Sequence, residues 1–377
     1  MNEKRNFPVV IDYEFKGLGL FSAYHNGGKT SWDQFLPQKK MIWEETWTSG
    51  QTYFLSGVVT VSNEESMIGH VVVEPGTIIK TRRANNYFPT SNTPTPTPTP
   101  AEGVPTATPD TRNEDLNAYR NRHNGLNIQV NCEGELTLCG KPYNYIYFVS
   151  ADTNYIGEDV TNHPRYFAGV GGGVEIEGHY LLGEGANTKN KSKIQYCYFR
   201  RVKIVAAQTG LEAPIENNVL DYVQGGLWLG PTWWNHDSWH ESYETTVRNN
   251  LIINIPESHD WWEYHQSNNP ILVPAMGIYV VSVGNRNTTA HIYNNTIVGS
   301  GRTRDDLYYI QRRQRRVPQI GIFLWQQAQR DPGCQPDVEW CNWDEGVISA
   351  DIHNNLIMNC NDYGIDYQFQ MKDRTPS

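Results

Sequence analysis

Two stretches of the 377-residue chain concentrate side chains capable of acid–base, metal and sugar chemistry. One is Pro231-Thr-Trp-Trp-Asn-His-Asp-Ser-Trp-His-Glu-Ser-Tyr-Glu244, and the other is Glu257-Ser-His-Asp-Trp-Trp-Glu-Tyr-His265. Two carboxylates at a suitable separation hydrolyse a glycosidic bond, one as acid and the other as base or nucleophile. Asp237 and Glu241 from the first stretch, with Asp260 or Glu263 from the second, are the candidates. Trp233 and Trp262 stand beside them as flat surfaces for a sugar ring. The four histidines, 236, 240, 259 and 265, mixed with acids, also suit a divalent metal, but no three-ligand spacing is diagnostic. The alternative is that these groups bond one another and anchor long loops. A third stretch, Arg302 to Arg316, holds six arginines against two aspartates. It is either a site for acidic sugars or a solvated loop.

The elements that position these stretches are legible from a repeat. Ile215-Glu-Asn-Asn-Val-Leu220, Val247-Arg-Asn-Asn-Leu-Ile252, Ile292-Tyr-Asn-Asn-Thr-Ile297 and Ile352-His-Asn-Asn-Leu-Ile357 share one pattern, and Ile194-Gln-Tyr-Cys-Tyr-Phe199 is a degenerate copy. A Gly-led strand follows at a distance: Gly226-Leu-Trp-Leu229, Gly277-Ile-Tyr-Val280, Gly321-Ile-Phe-Leu324 and Gly364-Ile-Asp-Tyr367. Strand, Asn-Asn corner, strand, corner, Gly-led strand is one turn of a parallel coil. The shortest interval, from 194 to 215, is about one turn, and longer intervals are insertions at corners. Asn tolerates the left-handed backbone such corners need. Stacked Asn amides are also expected to bond from coil to coil.

Composition bounds the remainder. The formal net charge of −10 argues against a general nucleic-acid surface, which needs excess Lys and Arg. Twelve Trp, 22 Tyr, 32 Gly and 21 Pro suit a β-rich extracellular protein. No apolar run approaches the ~18 residues of a membrane span. No signal peptide is visible, yet the Thr/Pro tract within about 89–112 reads as an extended polyproline insertion of a kind commonest outside cells. The expected location is extracellular or at the cell surface, with the leader missing from this chain. Cys132/Cys139 and Cys334/Cys341 share one spacing, and two local disulfides are weighed against buried thiols.

The N-terminal half carries further strands, among them Tyr53 to Val61 and His70-Val-Val-Val-Glu-Pro-Gly-Thr-Ile-Ile-Lys80. With the repeats, this run resembles the right-handed parallel β-helix proteins of the pectate-lyase-like superfamily over roughly residues 52–369. The resemblance implies an all-β, single-stranded right-handed parallel β-helix with long loop insertions. Residues 1–50 are then read as a cap and 51–377 as the solenoid. After Gly364 no capping helix follows, so the expectation is a longer parent chain or an oligomer covering this end.

The insertions flank the Gly-led strand on both sides, so its outer face is expected to floor a groove walled by loops. Alternation points Trp228, Tyr279, Phe323, Trp325 and Asp366 outward, and on earlier coils Glu175, Glu177, Arg201 and Lys203. Trp228, Tyr279 and Phe323 form an aromatic strip for sugar stacking, or else a covered core. Lyases of the superfamily abstract a proton α to a uronate with Lys or Arg, often with Ca²⁺. Lys203 beside Glu175 and Glu177 resembles that in residue type only, and an ion pair with those glutamates is the plainer reading; Arg201 is counted with the substrate-binding residues. Ca²⁺ is the one cofactor the resemblance points to. The Gly-His-Gly of polygalacturonases is absent, and the sole Asp-Asp, Asp305-Asp306, lies in a loop. The expected partner is a polysaccharide or other glycan, bound and cleaved or bound only. A structural spike without a ligand is the third reading.

Overall fold

The computed structural model describes residues 9–11, 41–55, 59–61, 67–81, 126–130, 134–151, 153, 155–158, 172–177, 189–223, 225–230, 243–255, 275–283, 287–300, 319–329, 346–361 and 363–372. Their regular structure is all strand, in three all-parallel sheets, with no helix among the described residues. The first sheet runs Met41–Trp47, Met67–Val73, Glu135–Cys139, Lys193–Gln195, Ile215–Glu216, Tyr243–Arg248, Thr288–Tyr293 and Ile348–His353. The second runs Val9–Ile11, Thr52–Leu55, Ile78–Thr81, Ile146–Ser150, Cys197–Arg200, Val219–Asp221, Leu251–Ile255, Thr296–Gly299 and Leu356–Met358. The third runs Val59–Val61, Leu126–Val130, Gly173–Glu177, Val205–Gln208, Leu227–Leu229, Ala275–Val283, Gln319–Gln329 and Tyr363–Lys372. From Met41 onward the chain visits the three sheets in turn, and one circuit is a coil. Each sheet is open, with an edge strand at either end. This arrangement is compatible with a β-solenoid.

The interior is built from rows of apolar side chains that repeat at one register position. On the third sheet one row is Ile128, Val174, Val205, Leu227, Ile278 and Ile322, all fully buried. Rows from all three sheets merge into one continuous core. β-Branched and aliphatic residues dominate it because each must pack on a pleated neighbour about 4.8 Å above and below.

The two asparagines of each corner divide the work. The first, at 217, 249, 294 and 354, has φ between +53° and +58° and makes the bend. The second turns inward and forms a ladder. The Nδ2 groups of Asn218, Asn250 and Asn295 donate to Oδ1 of Asn250, Asn295 and Asn355, each at 3.0 Å. The backbone N–H of each donor residue bonds the same acceptor at 2.9–3.0 Å. In the degenerate copy Tyr196 takes the bend, with φ +50°, and Cys197 N–H donates to Asn218 Oδ1. The ladder thus satisfies buried amides that the tight corner removes from the sheets.

The glycine heading the third-sheet strands answers a different need. A Cβ on Gly277 would lie 2.7 Å from the Gly321 carbonyl oxygen and 2.8 Å from Ile297 Cγ2. The coils approach too closely there for a side chain.

One expectation changes, and one open alternative is resolved. The stack begins before residue 51: Met41–Trp47 pairs with Met67–Val73 over seven positions, so it belongs to the first coil. Within the remainder of 1–50, Val9–Ile11 pairs with Thr52–Leu55 as an edge strand, and the other residues before Met41 lie outside the described set, as does the Thr/Pro insertion. Cys139 is a free thiol whose Sγ lies 3.8 Å from Gln195 Oε1, so no disulfide joins it to Cys132. It faces along the outer row of the first sheet, where a neighbouring side chain occupies it. Cys334 and Cys341 lie outside the described residues.

Asn250→Ala removes a donor and an acceptor from the middle of the ladder and leaves the amides of Asn218 without their acceptor. Loss of about 2–4 kcal/mol of stability is expected from buried groups left unpaired. Asn249→Ala, which strains only the bend, is expected to cost about 1–2 kcal/mol. Urea denaturation midpoints of the two variants check the order.

Candidate functional site

The third sheet differs from the other two on its outer face. Strand register places Glu175, Ala206, Trp228, Tyr279, Phe323 and Asp366 in a single row across six coils. Trp228 meets Tyr279 edge-on at 4.7 Å between centroids, and Tyr279 stacks on Phe323 at 5.5 Å and 11°. Trp325 lies a further step along, 6.3 Å from Tyr279. The expectation that these rings share one face therefore holds. Pleating explains it, because the residues between them, Leu227, Leu229, Ile278, Val280 and Ile322, belong to the interior.

The strip is not an open floor. Trp228, Tyr279 and Phe323 are 0%, 1% and 4% exposed. With Ile204, Ala206, Met276, Val281 and Ile320 they make a second apolar core, separate from the interior. A sugar reaches these rings only if their cover is displaced. Burial also pushes the Tyr279 phenol well above its ordinary pKa of 10, since an isolated phenolate there would be desolvated.

At one end of the row Glu175 is buried, and Gln208 Nε2 donates to its Oε1. Gln208 lies opposite Glu177 in the strand pairing. The backbone of Glu177 ends its strand. At the other end Asp366 is partly exposed and accepts from Gln368 Nε2 at 2.9 Å. Glu175 and Asp366 are five strand steps apart, roughly 24 Å at ~4.8 Å per step. That exceeds the ~5–10 Å over which two carboxylates share a glycosidic bond.

Arg201 and Lys203 are not on the floor. The strand of their coil is Val205–Gln208, aligned with Gly173–Glu177 through Val174 and Val205, and its outward row member is Ala206. Arg201 sits at the preceding corner with φ +51°, and its guanidinium lies over the Tyr222 ring at 5.7 Å. Lys203 follows in the same corner and is half-buried. Arg201-Val-Lys-Ile204 imitates the Gly-led pattern in composition, but inner-row packing of Val205 decides the register. Asp237, Glu241, Glu263, Trp233, Trp262 and Asp260, with the Arg302–Arg316 run, lie outside the described residues.

The outer face of the second sheet holds a polar cluster that the sequence reading missed. Arg200 Nη1 pairs with Asp221 Oδ2 at 2.6 Å, Tyr198 Oη bonds the same oxygen at 3.0 Å, and Asn254 Nδ2 donates to Oδ1 at 2.7 Å. Burial raises the Tyr198 pKa, with the Arg200 bond opposing it. Both oxygens of Asp221 are engaged, so this network fixes the face. The signal was residue type at one register position, Arg200 beside Asp221, which emerges only once the coils are aligned.

On the first sheet, Glu216 accepts from Arg248 Nε at 2.6 Å and from Gln195 Nε2 at 3.1 Å. No group of three or more His, Cys, Asp or Glu among the described residues is placed to hold a metal ion. Among those residues, no helix is long and apolar enough to cross a membrane. Comparison with protein-family models, curated proteins and solved structures returned no match.

Trp228→Ala is expected to destabilise the fold by about 3–5 kcal/mol, the range for truncating a buried aromatic side chain. Calorimetry checks it. Tyr279 has its folded pKa raised, so its contribution is present below pH 10. It is lost above that, where the unfolded phenol ionises and the folded one does not. Stability should fall above pH 10, and Tyr279→Phe should flatten that fall in denaturation curves recorded from pH 8 to 11.

Proposed function

We propose that the chain is an extracellular, single-stranded right-handed parallel β-helix, of the pectate-lyase-like kind, that engages a polysaccharide on the side of its third sheet. The observation that carries the reading is the second apolar core on the outer face of that one sheet, bounded in sequence by long insertions on both flanks. Insertions 231–242 and 330–345 leave that sheet, and 256–274 and 301–318 enter it. Rigid strands beneath variable segments is the usual platform for a site. Trp228, Tyr279 and Phe323 then act as the foundation of the site, and sugar contact falls to Trp233 and Trp262. Asp237, Glu241 and Asp260 are the acid–base candidates for hydrolysis. Lys203, at the corner that leads into the third sheet, is the base of the lyase alternative, for which Ca²⁺ would neutralise the uronate.

A non-catalytic adhesin-like or structural β-helix is the second reading. The near-complete burial of the aromatic strip and the engagement of Glu175 by Gln208 favour it.

The test is a panel of neutral and acidic polysaccharides assayed for binding, for new reducing ends and for absorbance of unsaturated uronates. At least one polymer is expected to bind, and Trp233→Ala with Trp262→Ala to weaken it about tenfold without lowering the melting temperature. If hydrolysis occurs, Asp237→Asn, Glu241→Gln or Asp260→Asn should reduce turnover by about 10²–10⁴ while binding persists. Elimination lost in Lys203→Ala would select the lyase. Silence in all three assays from a folded chain overturns the reading in favour of the structural one.

A further inference from the structure

The outer face of the first sheet gathers two imidazoles and two carboxylates that the third-sheet reading leaves unused. Strand pairing sets His291 directly opposite Asp351 on the neighbouring coil, and Tyr293 opposite His353. Asp351 and His353 stand two residues apart on one strand, so pleating points both to the same side as His291. His353 Nε2 lies 3.8 Å from Asp351 Oδ2, and His291 Nδ1 lies 4.0 Å from the same oxygen. Both gaps exceed a hydrogen bond. The other ring nitrogen of His291, Nε2, faces Glu244 Oε1 at 3.8 Å, and Lys189 Nζ holds the second oxygen of Glu244 at 2.9 Å. The His353 ring is stacked on Tyr293 at 4.9 Å and 4°, and Arg248 Nη1 donates to the Tyr293 hydroxyl at 3.3 Å. His291, Asp351, His353 and Glu244 are all open to solvent.

We propose that His291, Asp351 and His353 bind a divalent ion of the Zn²⁺ class across two neighbouring coils, with Glu244 orienting His291. Imidazole and carboxylate are the ligands such an ion takes, whereas Ca²⁺ asks for roughly six to eight oxygens, which this face does not supply. Two ligands at alternate positions of one strand, with a third opposite on the next strand, present three side chains from a rigid base. A metal-bound imidazole gives its remaining N–H to a carboxylate. His291 stands in that relation, with Nδ1 toward Asp351 and Nε2 toward Glu244. As they stand, the three ligands do not converge on one point. Bonds of about 2.0–2.1 Å set tetrahedral donors roughly 3.3 Å apart, so each gap to Asp351 must shorten by about 0.5–0.7 Å. Rotation of exposed side chains within their rotamer wells supplies movement on that scale. Three protein ligands leave a fourth position for water. The inference is independent of what the third sheet binds.

Calorimetric titration of the chelator-stripped full chain with Zn²⁺ tests it. One equivalent is expected to bind in the micromolar range and to weaken at least about tenfold in His291→Ala, Asp351→Asn and His353→Ala. Glu244→Ala, which removes only the orienting carboxylate, should cost about tenfold. The histidines at 236, 240, 259 and 265 are the competing ligands, and replacing all four by alanine should leave this equivalent in place. Labelling of the unmodified protein with diethyl pyrocarbonate, read by peptide mass, decides the matter if a variant misfolds. Zn²⁺ should protect His291 and His353 from the reagent. No bound zinc, binding unchanged in the three ligand variants, loss of the equivalent with the four loop histidines, Ca²⁺ bound as tightly at the same residues, or equal labelling of His291 and His353 with and without saturating zinc would each overturn the proposal.

Discussion

The corner between the first and second sheets carries the constraint on which the stack depends. A parallel coil must turn sharply every few residues, and each turn removes backbone amides from the ladders of the sheets. One asparagine absorbs the bend in the left-handed region, and the next places its amide inside, where Asn218, Asn250, Asn295 and Asn355 bond in series. Because each amide bonds the next coil, the spacing of the ladder and the spacing of the strands must agree. Inner-row packing of residues such as Leu220, Ile252 and Ile297 then follows at the same repeat. A coil with a longer insertion still returns to this point, so loops vary without disturbing the register.

Once the register is set, the outer faces acquire distinct characters from the residues that alternate with the core. The first sheet presents a polar row through Gln195, Glu216, Arg248 and Tyr293. The second closes its acid, Asp221, within a network of Arg200, Tyr198 and Asn254. The third stacks aromatic rings and buries them. A bare outer face of a sheet would leave such rings to water, and burying an aromatic side chain of this size is favourable by a few kcal/mol. The third face is therefore part of the fold's stability.

The repeat was legible because its chemistry is local. Asn at a left-handed corner and an aliphatic residue on either side constrain only their own neighbours, so four copies announced both the strand order and the ladder. The outward direction of Trp228, Tyr279 and Phe323 was legible for the same reason, since pleating has a period of two. Arg201 and Lys203 misled because composition near a corner mimics a strand start, and only the pairing of Val205 with Val174 reveals where the strand begins. Met41–Trp47 lacks an Asn-Asn corner, and its place in the first coil depends on a partner strand twenty-six residues away.

The amino-acid sequence by itself determined the coil: the bends, the ladder, the inward aliphatic rows and the phase of the outward rings. These are consequences of backbone preference and alternation, which act over a few residues. The tertiary structure alone decided burial and adjacency. It made the aromatic strip a sealed second core, joined Gln208 to Glu175 and Arg200 to Asp221, and left Ile365 and Tyr367 half-exposed at the last coil. Those outcomes depend on which coils stack and what lies over them, and neither is encoded in the spacing of residues within a single turn.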